Sequence, residues 1–384
     1  MQIVRLLALL ALLSLLSAAA ASASAPIPAE KAGKAVLPEL QPSWFLALDY
    51  DGAAYVFDGA DGEVKGTISH SQYTTAIVTL PSRKEAYLVD SYYSRLVRGT
   101  RTDVLTVVDM SNLTTKAEIQ LPAKTATLLI RGHIGLLNDE RHVVVFNMTP
   151  AQSVSIVDVV DRKFVGEIST AGCAIVMPVE LRSFLMLCGD GTLQLIELSA
   201  DGSEVGRRRS KVFFDVNKDP VFSEVKYTGS GWLLTTHNGS VREVRVVSGR
   251  IDIGEACSML NDEDRQDGST KEQWRPGGMQ PFALHRSAAL FYALMHKGKV
   301  DTHGQDGKEI WVFDTNRRRR VARFALPFEG RSLLVSQEAV PRIYLSDKDH
   351  KLHIYDGYKL KLQRSIDDSG LSGGALLQAL MPYD

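Results

Sequence analysis

The sequence predicts an all-β protein, a seven-bladed β-propeller, and three observations carry that expectation. Short apolar runs recur along the chain, each ending in a polar or charged residue followed by a turn. Their spacing is uneven but repeat-like, and helix-like periodicity is scarce between them. The runs are Ala54-Tyr-Val-Phe-Asp58, Leu105-Thr-Val-Val-Asp109, Val154-Ser-Ile-Val-Asp158, Leu193-Gln-Leu-Ile-Glu197, Val241-Arg-Glu-Val-Arg245, Ile310-Trp-Val-Phe-Asp314 and Leu352-His-Ile-Tyr-Asp356. From Asp58 to Asp356 the intervals average about fifty residues, a period typical of propeller blades and other repeat arrays. One blade alone leaves an apolar face in water, whereas blades stacked around an axis bury one another. Most runs are followed, about ten residues on, by a second one, as in Gly66-Thr-Ile68, Ala117-Glu-Ile119 and Gly166-Glu-Ile168. The Gly-His and Trp-Asp signature of WD40 blades is missing.

Ahead of the repeats, Arg5, the apolar stretch Leu6 to Leu16 and the small residues Ala21-Ser-Ala23 and Ala23-Ser-Ala25 read as an export signal over residues 1–25. Cleavage is expected near Ala23 or Ala25. The apolar stretch is too short to span a bilayer comfortably, so the mature chain is expected to stay out of membranes. Pro26, Pro28, Pro38 and Pro42 mark residues 26–43 as a flexible arm. Residues 44–384 contain no low-complexity linker and form one propeller domain.

Lys plus Arg number 44 against 45 Asp plus Glu, so no charge excess points to nucleic acid or an anionic membrane surface. Cys173 and Cys188 flank the strand-like run 180–187, so adjacent strands would bring them together, and an exported chain permits a disulfide. Closing that loop would stabilise by about 3 kcal/mol. Cys257 is left over, either a small buried hydrophobe, as is usual for its type, or a reactive or bridging thiol.

The longest interval, Arg245 to Asp314, contains the acidic insertion Cys257 to Gly268. The same region holds His285, His296 and His303, whose separations do not match the tight ligand pairs of helical zinc sites. A carboxylate such as Asp301 could complete a site. The better reading is three histidines bonded to loop carbonyls, with no metal. Gly277-Gly278 is a turn, since no phosphate-cradling glycine pattern opens a helix, and no nucleophile elbow occurs. The runs Arg207 to Arg209 and Arg317 to Arg320 offer a dock for an acidic partner or are solvated hairpin tips; the neutral net charge favours tips. No catalytic set is expected on this chain.

A wider set of blocks carries a resemblance: Tyr93-Ser-Arg-Leu-Val-Arg-Gly-Thr-Arg-Thr-Asp103, Cys173, Arg182-Ser-Phe-Leu-Met-Leu-Cys-Gly-Asp-Gly191, Leu260-Asn-Asp-Glu-Asp264, Trp274-Arg-Pro-Gly-Gly278, His285-Arg286 and Glu309-Ile-Trp-Val-Phe-Asp314. Over nearly the whole mature chain the sequence resembles the heavy subunit of bacterial amine dehydrogenases, the tryptophan tryptophylquinone enzymes. Arg209-Ser-Lys211, Lys218-Asp-Pro-Val-Phe222 and Arg320-Val-Ala-Arg323 look more like the aralkylamine branch than the methylamine branch. The resemblance implies a seven-bladed propeller without a cofactor of its own. It places the quinone and the catalytic aspartate on a small light chain, with two heavy and two light chains assembled in the periplasm. Such an enzyme oxidises a primary amine to an aldehyde and ammonia, and passes electrons to a blue copper protein such as azurin or amicyanin. By the same resemblance, Tyr73 falls where the family places a phenylalanine at the mouth of the substrate channel. Tyrosine keeps the aromatic ring but adds a polar tip. Cys173 and Cys188 match the family's intra-chain disulfide, and Cys257 acquires no role.

Overall fold

The computed structural model describes residues 36–74, 76–265, 272–371 and 375–380. The expected export signal, its cleavage site and the arm up to residue 35 lie outside the described residues. At the end of the arm, the Leu37 N–H donates to the Ser111 carbonyl at 2.7 Å.

The recurring aspartates explain the local structure first. Each ends the third strand of a sheet, and its carboxylate accepts a backbone N–H two or three residues on. The Ala60 N–H donates to Asp58 at 2.8 Å, Ser111 to Asp109 at 2.9 Å, Val160 to Asp158 at 2.9 Å, Arg317 to Asp314 at 2.8 Å and Tyr358 to Asp356 at 3.0 Å. Four residues after each aspartate the chain passes through positive φ, at Gly62, Leu113, Arg162, Arg318 and Leu360. This is an Asx-initiated turn closed by a left-handed residue, which sends the chain back as an antiparallel partner. Gly62 suits its place doubly, because at φ +81° a Cβ would also sit 2.6 Å from Arg364.

Four strands so connected make a sheet. The second sheet runs Ile77–Leu80, Glu85–Arg95, Arg98–Asp109, Thr114–Leu121 from the axis outward. The third runs Ile134–Leu136, His142–Asn147, Ser153–Asp158, Lys163–Ser169, and the fourth Cys173–Val179, Ser183–Cys188, Leu193–Leu198, Glu204–Arg209. The fifth holds Lys226–Tyr227, Trp232–Thr235, Ser240–Val247 and Arg250–Ile253, with Cys257–Ser258 paired to its third strand. The first sheet closes the ring. Its innermost strand, Leu376–Ala379, comes from the C-terminal end and pairs with Trp44–Leu48 from the N-terminal end, Phe45 opposite Ala379.

The all-β propeller is as the sequence indicates, but the count of seven blades is corrected. Five sheets stand as separate blades, and the remainder is one continuous eight-stranded sheet from Gln273–Pro276 to Leu362–Ile366. The cause is the 17-residue strand Arg319–Val335. Its first half pairs with Gly307–Asp314 and its second half with Arg342–Asp347, with register shifts but no break. The last two sequence repeats, ending at Asp314 and Asp356, therefore share one sheet and do not form blades of their own.

Packing between sheets forms the core. Leu46 and Val56 of the first sheet meet Ala86, Leu88 and Leu105 of the second, and Phe146 and Ile156 of the third meet Phe184 and Ile196 of the fourth, all buried. Near the axis Gln280 is fully buried and ties two sheets together, its amide donating to the carbonyls of Leu333 at 3.1 Å and Leu377 at 2.8 Å.

Candidate functional site

In such an antiparallel array, the connection from the second to the third strand and the connection from the outer strand to the next sheet emerge on the same face. Tyr73 lies in a connection of the second kind, residues 70–76, between the outer strand Val64–Ser69 and the inner strand Ile77–Leu80. The hairpin Glu85–Arg95/Arg98–Asp109 is of the first kind. Its strands have 11 and 12 residues, against six each for the matching pair Ser183–Cys188 and Leu193–Leu198, so it rises beyond the sheet. The two elements meet: the rings of Tyr73 and Tyr93 pack edge to face, 5.4 Å apart at 74°.

Beneath this pair lies a buried polar network that fixes the loop. Asp90, fully buried in the hairpin, accepts the Ser71 N–H at 2.8 Å and the Thr106 hydroxyl at 2.7 Å. The Ser71 hydroxyl accepts the N–H groups of Tyr73 and Ser91, each at 3.2 Å. Thr74 donates to the Val89 carbonyl at 3.0 Å, and His70 donates through Nδ1 to the Ser71 carbonyl at 2.7 Å. A second buried carboxylate, Asp103, accepts two bonds from Arg101 at 2.7 and 2.9 Å, and also binds Ser91 and the N–H and hydroxyl of Thr125. A carboxylate this deep persists because its oxygens are saturated with donors. Tyr92, beside Asp90, has its phenol pushed up to about 12 by partial burial and then by the charges of Asp90 and Glu118.

Around the pair, exposed apolar side chains stand beside the exposed Arg95 and Arg98. Tyr50, Tyr92, Leu96, Val97, Leu128 and Met148 are all exposed, on connections of the first three sheets that emerge on the Tyr73 side, and Leu96 at the hairpin tip is 88% exposed. A hairpin that carries exposed apolar side chains beyond its sheet is a candidate interaction surface.

The other sequence candidates lie elsewhere. Cys173 and Cys188 sit directly opposite each other on neighbouring strands and form a disulfide. Cys257 is a free, half-buried thiol. The histidines do not converge. His285 bonds the Glu338 carbonyl at 2.9 Å, and His296 donates through Nε2 to the Thr302 hydroxyl at 2.9 Å. His303 stacks on His237 with centroids 4.0 Å apart. Burial, reinforced by Arg275 and His303, lowers His296 to about 4. No group of three or more metal-binding side chains occurs among the described residues. The arginine runs are engaged in ion pairs: Arg207 with Glu204, Arg208 with Glu197, Arg209 with Asp190, Arg317 with Asp314, Arg318 with Glu255 and Arg320 with Asp264. Arg320 also covers the Trp311 ring at 4.2 Å, and Arg323 lies over both Trp274 and Trp311. Arg320 is thus held within the fold, whereas Arg317 and Arg319 stay exposed at the turn.

The fold and this face define a β-propeller that presents an aromatic pair beside exposed apolar side chains. A family model described as "Methylamine dehydrogenase heavy chain (MADH)" matches residues 39–379, and the chain belongs to that family. The methylamine dehydrogenase heavy chain of Methylophilus methylotrophus is 25% identical over 320 residues, covering 82% of this chain and 77% of the relative. That of Methylorubrum extorquens is 26% identical over 333 residues, covering 86% and 79%. Among solved structures, dihydro-heme d1 dehydrogenase NirN matches with TM-score 0.55 at 16% identity, over 93% of this chain and 72% of its own. Kuenenia stuttgartiensis hydrazine synthase matches with TM-score 0.55 at 15% identity, over 87% and 99%. At those identities the two structures speak for the fold alone. Among the described residues no helix is long and apolar enough to cross a membrane.

Proposed function

We propose that this chain is the heavy subunit of a periplasmic amine dehydrogenase, and that its Tyr73 face receives the quinone-bearing light chain. The observation that carries the reading is an aromatic pair, held by a buried carboxylate, beside a projecting hairpin with exposed Leu96 and Val97, in a chain of the methylamine dehydrogenase heavy chain family. The tryptophan tryptophylquinone of the light chain supplies the redox chemistry: a primary amine leaves as an aldehyde and ammonia, and a blue copper protein of the azurin or amicyanin type takes the electrons. Two heavy and two light chains make the enzyme, after a signal over residues 1–25 has directed export and residues 26–43 have remained as an arm on the 44–384 propeller.

This chain's own part is to bind and to orient. Tyr73 forms a wall of the substrate channel, its ring set by the contact with Tyr93 and its backbone by Ser71 and Asp90. Leu96 and Val97 at the hairpin tip provide apolar area for the light chain and keep water from the amine's path. Two tyrosine rings suit an aromatic amine, which supports the aralkylamine reading. The relatives named above are methylamine dehydrogenase heavy chains, which supports methylamine as the second reading.

Purification of the chain from its native periplasm, followed by a visible spectrum before and after amine addition, tests the proposal. A co-purifying small subunit whose quinone band bleaches with phenylethylamine is the expected result. Bleaching with methylamine alone moves the enzyme to the second reading. A colourless chain that responds to no amine overturns both.

A further inference from the structure

Tyr73 is tethered twice, its backbone N–H by the Ser71 hydroxyl at 3.2 Å and its ring by the edge-to-face contact with Tyr93. Both tyrosines are half-buried. The hairpin builds the second tether from its own strands. Tyr93 stands directly opposite Arg101, and Arg101 is clamped by Asp103 at 2.7 and 2.9 Å and by the Thr125 carbonyl at 2.7 Å. Immediately beyond Tyr93 the ladder slips by one residue, so that Gly99 and Thr100 together face Ser94. The Ser94 hydroxyl accepts the Thr100 N–H at 3.0 Å, and Gly99, at φ +103°, leaves no room for a Cβ beside that hydroxyl. This is a β-bulge, which increases local twist and re-aims side chains next to it. It separates the exposed tip Leu96-Val97 from the regularly paired strand that carries Tyr93, so the tip can bend while the ring stays against Tyr73.

We infer that Tyr93 is a positioning residue that sets the preference for aralkyl over alkyl amines, by fixing the Tyr73 ring as a rigid aromatic wall. Its role rests on the heavy-subunit reading above, in which Tyr73 lines the substrate channel. A phenyl group lays its area on a wall that is already oriented, so no ring motion has to be frozen when it binds. Methylamine presents a single carbon and touches too little of the wall to gain from it. The contact is the same in the bound substrate and in the transition state, so its loss belongs in KM and not in kcat.

The test uses the assembled holoenzyme and steady-state kinetics with phenylethylamine and with methylamine. Tyr93→Ala should raise KM for phenylethylamine about tenfold at nearly unchanged kcat, and change kcat/KM for methylamine less than about twofold. Tyr93→Phe should stay near wild type, because the ring and not the hydroxyl meets Tyr73. Tyr93→Leu, which keeps apolar bulk on the hairpin without a flat ring, should follow Tyr93→Ala, so the prediction stands even if the alanine variant assembles poorly. An equal fall for both amines marks damage to the subunit interface and overturns the role of Tyr93. So do an unchanged ratio of the two amines in both the alanine and leucine variants, a Tyr93→Phe enzyme that behaves like Tyr93→Ala, and a wild type that prefers methylamine. A wild type that oxidises no amine overturns the heavy-subunit reading itself, and the role of Tyr93 with it.

Discussion

Asp90 is the residue on which the Tyr73 loop depends. Replacing it with alanine strands the Ser71 N–H and the Thr106 hydroxyl in a dry site, and each lost bond to a charged acceptor is worth about 2 kcal/mol. Urea denaturation of Asp90→Ala should show a loss of about 3 kcal/mol, with Asp90→Asn retaining part of it. In the assembled enzyme, Tyr73→Ala should lower kcat/KM about tenfold for an aralkylamine while Tyr73→Phe stays near wild type, because the ring and not the hydroxyl forms the wall. Steady-state kinetics check this. Glu85 offers a pH test. Burial opposes its charge, but Lys116, Tyr87 and Arg162 outweigh burial and hold its carboxyl at about 2. A carboxyl lowered on folding stabilises above its unfolded value near 4.5, and that contribution is lost as pH falls from there toward 2. Glu85→Gln should cost about 3 kcal/mol at pH 7 and flatten the acid side of the stability curve, measured by urea midpoints from pH 6 to 3. Of these residues Tyr73 was singled out through family resemblance, and its place at the channel mouth rests on that resemblance. Asp90 was not: its partners Ser71 and Thr106 lie 19 and 16 residues away, and only the pairing of strands brings them together.

At the scale of elements, the turns were the most legible part. An aspartate after an apolar run initiates a turn by chemistry contained within four residues, so Asp58, Asp109, Asp158, Asp314 and Asp356 could be read in place. The boundary that failed was of another kind. Between Arg319 and Val335 the only glycine is Gly330, and the backbone passes it extended and still paired, with Gly307 and Asp347. Pro327 and Gly330 would punctuate such a stretch, yet the strand runs through both, so counting repeats overstates the number of separate sheets. The disulfide joins the inner and second strands of the fourth sheet. Its removal in Cys173→Ala/Cys188→Ala should cost about 3 kcal/mol, read as a lower urea midpoint that no longer responds to reductant.

The whole molecule is closed by four residues. Leu376–Ala379 completes the first sheet against Trp44–Leu48, so the two ends of the domain hold each other. A chain ending at residue 374 should expose Phe45 and Leu46 and unfold in a broad, non-cooperative transition, seen by near-UV circular dichroism during a thermal ramp. Closure also fixes the two faces, and the claim that one of them receives the light chain depends on that geometry. Hydrogen exchange of the chain alone and in its complex with the light chain tests it most directly. The account predicts strong slowing at residues 70–76 and at the 92–100 hairpin tip, with little change at the opposite-face turns around Val160, Val247 and Tyr358. Slowing confined to those opposite turns, with the Tyr73 loop unchanged, would contradict it.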